Sequence, residues 1–194
     1  MSSEPLSKSH TSSPESEDLK RKMSRHINQE SVDLIKAFES LYLKAYQCSA
    51  DVWTIGYGTT STKAGGHDDG TIYDGMTITE DEAEEYLRQD LEYFEKVVSK
   101  AVTTKINDGM FGALVSFAFN CGEGNLRSST LLKRVNSGDW DDVPDQFLRW
   151  NKAKGKTLNG LTRRRASEAR LWEGNPSAYI ASVDEMGKLG YPVV

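Results

Sequence analysis

The chain has 194 residues, 27% charged and 37% apolar, which suits one domain with a substantial core or a lobed body with short extensions. Its net charge of −5 leaves no electrostatic footprint for nucleic acid, and its two cysteines make no disulfide framework. No apolar run approaches the roughly 20 residues of a membrane span and the first residues lack the apolar centre of a secretory signal, so no stable membrane association is expected.

Residues 1–27 read as a mobile tail, because serine, proline and scattered charge with few large apolar groups cannot offset the entropy of ordering. The basic run Lys20-Arg21-Lys22, with Arg25, reads as a solvated face. Val32, Leu34, Ile35 and Phe38 then recur at helical spacing, which puts Glu39 at the last turn of an amphipathic helix. The negative end of a helix dipole disfavours a carboxylate by only about 0.3–1 kcal/mol, so an acid catalyst there needs desolvation as well.

Tyr46-Gln47-Cys48 and Trp53-Thr54-Ile55 flank the polar turn Ser49-Ala50-Asp51 as a β-hairpin. A reversal centred near Asp51 sets Cys48 opposite Thr54, with side chains about 5 Å apart. On the return strand Ile55 and Tyr57 share one face, and Thr54, Gly56 and Gly58 the other. That bare face admits close approach of a bulky ligand, or else the glycines relieve twist or form a bulge.

Ala64 to Gly70 is a loop in which His67 sits beside Asp68 and Asp69 with no second histidine near, so no metal site is expected. Ile72-Tyr73 suggests a short strand. Thr79 and Glu82 form a capping box that opens a long helix with the buried stripe Ala83, Leu87, Leu91, Phe94 and Val98. Met110 to Phe119 is apolar around most of its circumference, as in a central helix, and stops at Asn120-Cys121-Gly122. Asn120 either reaches a cleft to bind a sugar amide or hydroxyl or caps the helix, and Cys121 reads as a small buried hydrophobe. Ser128 or Ser129 caps a helix through Leu131, Leu132 and Val135; Asp139 to Trp150 forms another, with Pro144 in its first turns. Lys152 to Asn159 is a loop and Gly160 to Trp172 the last long helix. One of Arg163, Arg164 and Arg165 is expected to pair with a buried acid such as Glu39 while the others stay solvated. Residues 175–194 form an extension of no evident purpose.

Three ordered blocks carry a resemblance. Glu39, Cys48 and Thr54 stand at fixed spacing within E-x-x-x-L-x-A-Y and T-I-G-Y-G, followed by Ala113 to Trp140 and Gln146 to Trp172. Together they resemble the phage-type lysozymes, or endolysins, over about Asn28 to Glu173. Two positions depart from that pattern: Cys48 stands where aspartate is common, and Thr59 where histidine is frequent.

The resemblance implies an α+β, lysozyme-like fold, mainly helical, with a small antiparallel β lobe (about 28–78) joined by a long helix (about 79–100) to a helical lobe (about 104–174). It implies an N-acetylmuramidase that hydrolyses the β-1,4 bond between N-acetylmuramic acid and N-acetylglucosamine in bacterial peptidoglycan during host lysis, with no cofactor. Glu39 would be the acid, and Cys48 and Thr54 would place water or stabilise charge. The substrate-binding set expected beside them is Tyr46, Gly56, Gly58 and Asn120. Such an enzyme is made in the host cytoplasm, works as a monomer and depends on a membrane-permeabilising holin to reach the wall. A neutral thiol at position 48 leaves two chemistries open: water aligned by Cys48 and Thr54 with inversion, or attack by the thiolate with retention. A disulfide from Cys48, to Cys121 or to another chain, would mask that thiol. The alternatives are a lytic transglycosylase, which needs the acid but no water-placing pair, and a wall-binding module that has lost catalysis.

Overall fold

The computed structural model of the protein describes residues 25–48, 51–60, 72–175 and 177–193. Helix α1 (Gln29–Phe38) starts where the Asn28 side chain accepts the Ser31 N–H, and it buries Val32, Leu34 and Ile35 as its spacing requires. The antiparallel sheet β1 (Tyr42–Gln47), β2 (Trp53–Gly56) and β3 (Thr59–Thr60) follows, paired in that order.

Ile72-Tyr73 is not the expected strand. The Tyr73 carbonyl accepts the Met76 N–H at 3.2 Å in a turn, and the chain reaches β1 only after it. There the Ala45 N–H donates to the Met76 carbonyl and the Ile78 N–H to the Leu43 carbonyl, both at 2.9 Å. His67 and its loop lie outside the described residues.

Helix α2 (Glu80–Ala101) opens on the full capping box, with the Thr79 N–H donating to Glu82 at 2.7 Å and the Glu82 N–H to the Thr79 hydroxyl at 3.2 Å. Its 22 residues span about 33 Å and bury the expected stripe, so it links the two lobes. The Thr59 hydroxyl donates to Asp90 of α2 at 2.7 Å, with both residues buried. A neutral donor thus fastens β3 to α2 where the resemblance led one to look for histidine.

Helix α3 (Asp108–Cys121) is buried from Phe111 to Phe119 and is the core of the second lobe. Around it lie α4 (Glu123–Ser128), α5 (Thr130–Ser137) capped by Ser129, a 3-10 turn (Trp140–Asp142), and α6 (Val143–Leu148) with proline in its first turn. The expected loop after Lys152 is a second hairpin, in which β4 (Lys152–Ala153) pairs with β5 (Lys156–Thr157). Lys154 and Gly155 between them have φ of 50° and 77°, the left-handed pair that a two-residue hairpin turn needs. Helix α7 (Asn159–Trp172) packs on α1, α3 and α6, and a short α8 (Val183–Lys188) closes on α7.

The packed body includes residues before Asn28. Arg25 lies 4.5 Å over the Phe111 ring and pairs with Asp108 at 2.6 Å, and the Ile27 N–H donates to Glu95 at 2.8 Å. Arg25 is therefore a packed cation rather than part of a solvated run; Lys20 to Lys22 lie outside the described residues.

Candidate active site

Glu39 caps the C-terminus of α1. Its N–H donates to the Ile35 and Lys36 carbonyls at 3.1 and 3.3 Å, and its extended backbone sends the chain directly into β1. The carboxylate therefore stands at the corner between helix and sheet. Its side chain is 24% exposed, and its Oε1 accepts a hydrogen bond from Arg164 Nη1 at 2.5 Å. A guanidinium partner accompanies partial burial here, where desolvation was the expected influence.

The hairpin register corrects the expected pairing. Thr54 lies opposite Tyr46 and Trp53 opposite Gln47, while the Cys48 N–H donates to the Val52 carbonyl at 3.0 Å. The reversal is centred one residue earlier than expected, with Asp51 at φ 57° on its return side, so Cys48 faces Val52. Thr54 and Cys48 are diagonal neighbours, which in an antiparallel pair means roughly 7–8 Å rather than direct opposition. Alternation keeps Tyr46, Cys48 and Thr54 on one face.

Tyr46 is half-buried, and burial pushes its hydroxyl up, with the negative potential of Tyr42, Cys48 and Glu39 adding to the effect. Tyr46 thus lies within electrostatic reach of both Glu39 and Cys48. A register shift between Tyr42 and Tyr46 brings these two rings together, centroids 4.4 Å apart and tilted by 45°. Thr54 is only 3% exposed, and its hydroxyl donates to the Val52 carbonyl at 3.1 Å.

Of the two readings of the glycines, backbone relief is the one that fits Gly56. Gly56 has φ 63°, and a Cβ on it would meet Ala83 Cβ at 3.5 Å and Ile78 Cδ1 at 3.6 Å, so it is turned to α2 and to the core. Gly58, at φ 98°, belongs to the turn between β2 and β3, its N–H donating to the Ile55 carbonyl at 3.2 Å. Backbone conformation accounts for both residues.

On the other lobe Asn120 is exposed within α3 and does not cap it; Gly122 does. Its Oδ1 accepts from Arg165 Nη2 at 3.0 Å. Because a guanidinium only donates, this contact fixes the amide orientation and turns its NH₂ away from Arg165.

Arg165 is fully buried, against the expectation that only one arginine of the triplet leaves solvent. It donates to Glu168 at 2.9 Å and to Cys121 Sγ at 2.9 Å, while Arg164 reaches the same Glu168 oxygen at 3.4 Å and Ser116 donates to it at 2.7 Å. Burial pushes the Glu168 carboxyl up, against Arg165, Arg164 and Ser116, which pull it down. A chain of polar contacts thus runs from Glu39 through Arg164, Glu168 and Arg165 to Asn120. Sequence reasoning missed Glu168. Its signal was the spacing of four residues from Arg164 and three from Arg165, which puts all three on one side of a helix.

Cys121 is not a plain hydrophobe, since it accepts from Arg165. Both cysteines are thiols, and no disulfide joins them. Among the described residues no group of three or more His, Cys, Asp or Glu side chains is arranged to hold a metal.

These features define a two-lobed, lysozyme-like α+β protein with a carboxylic acid at a helix-to-hairpin corner. Solved structures share the fold. The endolysin from Escherichia coli O157:H7 phage FAHEc1 superposes with a TM-score of 0.69 at 38% identity, covering 81% of this chain and 98% of that one. The muramidase domain of SpmX from Asticaccaulis excentricus gives 0.68 at 34%, covering 76% and 97%. The endolysin of Bacillus phage B103 is 40% identical over 149 residues, which are 76% of this chain and 54% of the relative, so the chain spans about half the length of that protein. The chain belongs to the phage lysozyme family, whose model matches residues 36–168.

Proposed function

We propose that the protein is an endolysin, an N-acetylmuramidase that hydrolyses the β-1,4 bond between N-acetylmuramic acid and N-acetylglucosamine in peptidoglycan for host lysis. The observation that carries this reading is the position of Glu39, whose carboxylate is partly exposed at the helix-to-hairpin corner and held through one oxygen by Arg164. Membership of the phage lysozyme family supports it.

Glycosidic cleavage needs a proton on the leaving oxygen and a nucleophile on the opposite face of the sugar. Glu39 supplies the proton from Oε2, since Oε1 is occupied by Arg164. Thr54 gives its own proton to the Val52 carbonyl and so offers only lone pairs, which suits it to accept a hydrogen bond from an attacking water. Cys48, on the same face, either completes the grip on that water or attacks as thiolate; anomeric stereochemistry of the product separates inversion from retention. Tyr46, with the tilted Tyr42 ring packed beside it, provides an aromatic wall for a sugar ring, and the Asn120 NH₂ a donor for an acetamido or hydroxyl oxygen from the facing lobe. Gly56 has no part in this site. The enzyme acts as a monomer on the wall after a holin has permeabilised the membrane; among the described residues no helix is long and apolar enough to cross one.

The test is digestion of purified murein by the wild type and Glu39→Gln, with muropeptides resolved by mass. Reducing muramic-acid ends from the first and none from the second are expected. Anhydro-sugar ends would instead identify a lytic transglycosylase, and wall binding without release of sugars a module that has lost catalysis.

A further inference from the structure

We propose that the C-terminal segment from Ser177 to Tyr191, beyond the residues matched by the family model, is a brace that positions Glu39, with Tyr179 as its working contact. This deepens the reading above and rests on Glu39 being the acid.

The segment is fastened to α7 at successive points. Arg170 donates to the Ser177 carbonyl at 2.9 Å, and the Ile180 N–H donates to the Ser167 hydroxyl at 3.0 Å. Ile180 and Met186 are fully buried against Ala166, with Leu148, Val183 and Tyr191 closing over them. These anchors lie on both sides of Tyr179 and present its ring to the end of α1.

There Tyr179 meets Phe38 edge-on, with centroids 5.3 Å apart and planes at 68°. Phe38 also lies under two cations of α7, with the guanidinium carbons of Arg163 and Arg164 at 5.4 and 5.7 Å from its centroid. Arg164 in turn holds Glu39, the residue that follows Phe38. The Phe38 ring is thus fixed by the brace and by the same arginine that orients the acid. Without Tyr179, Phe38 loses a neighbour and Arg164 can follow it. A displacement of about 1 Å at a reacting group costs on the order of a hundredfold in rate, so a partial one is read as a loss of about tenfold.

The position of Tyr179 makes the test clean, because it is 37% exposed while the anchoring residues Ile180 and Met186 are not exposed at all. Tyr179→Ala, Tyr179→Phe and Leu189→Ala are made in the full chain, Leu189 being an exposed residue of the same segment. Murein cleavage is measured as kcat and KM, and the Arg164 Nε–H resonance is followed by NMR. The brace requires Tyr179→Ala to lower kcat about tenfold with KM within about twofold and to shift the Arg164 resonance. Tyr179→Phe restores both, since an edge contact needs no hydroxyl, and Leu189→Ala behaves as wild type. Wild-type kcat and an unmoved resonance in Tyr179→Ala overturn the proposal, as does a loss that merely tracks the unfolded fraction or that Tyr179→Phe shares. If Tyr179→Ala shifts the Arg164 resonance but the wild type itself cleaves no murein, the brace is supported and the functional reading is refuted instead.

Discussion

Glu39 caps the C-terminus of helix α1, so whatever seats α1 seats the acid. One seat is Gly112 of α3. A Cβ built there would lie 1.9 Å from Ser31 Oγ and 2.6 Å from Ser31 Cβ, and Ser31 is fully buried. Ordinary carbon contacts are about 3.5–4 Å, so Gly112→Ala must push the helices apart by about 1 Å. Such overpacking costs about 1–3 kcal/mol, and the better helix propensity of alanine returns about 0.8–1 kcal/mol. The net loss is then up to about 2 kcal/mol, at about 2–4 °C in Tm per kcal/mol for a chain of this size. The sharper number is the coupling. With Ser31→Gly in place the alanine meets no side chain at 31 and keeps its propensity gain, so its effect changes sign and the double-mutant cycle gives about 1–3 kcal/mol. Urea unfolding of the four proteins measures it. A coupling below about 0.5 kcal/mol, the usual error of additivity, would refute this close approach of α1 to α3.

Two further outcomes test separate parts of the structure. Thr59→Val withdraws a buried hydrogen bond from the Asp90 carboxyl group and is expected to cost about 1.5–3 kcal/mol in urea unfolding, while Thr59→Ser costs less; equal stability of the two variants would show that the hydroxyl does not fasten β3 to α2. Cys121 titrates above the usual thiol range because burial outweighs the pull of Arg165. A raised pKa means less thiolate at any given pH, so alkylation at Cys121, followed by mass over about pH 7 to 10, stays slow until the pH passes that at which free cysteine reacts. Reaction at Cys121 as early as in a free thiol would contradict that assignment.

What the sequence made legible was what repeats or caps. The α1 spacing led to Glu39 at a helix end, and Thr79 with Glu82 marked the start of α2 because a capping box is a local chemical event. Pairing register was less accessible. Moving the centre of the hairpin by one residue moves the partner of Cys48 by two, and only the hydrogen bonds across the turn decide it. The glycines were ambiguous for a related reason: a missing side chain announces space or an unusual backbone equally well, and at Gly56 it was the backbone. The Lys152–Thr157 hairpin was hidden because its strands are two residues long, too short to show alternation.

The triplet Arg163-Arg164-Arg165 was legible only in part: one arginine was expected to pair with an acid such as Glu39, as Arg164 does, but the burial of Arg165 was not foreseen. In the structure they and their neighbours do four tasks at successive angles around one helix. Arg164 holds Glu39, Arg165 holds Asn120 of α3, Ser167 receives the C-terminal segment, and Glu168 lies between the two buried guanidiniums. Side chains one residue apart on a helix diverge by about 100°, so only a helix buried on nearly all sides can use neighbours this way. Helix α7 meets that condition from Thr162 to Trp172, apart from half-buried Arg163 and Arg170. Rotating or shifting it therefore moves the partners of the acid, of the Asn120 amide and of the C-terminal segment together, so one helix couples groups that belong to different parts of the chain.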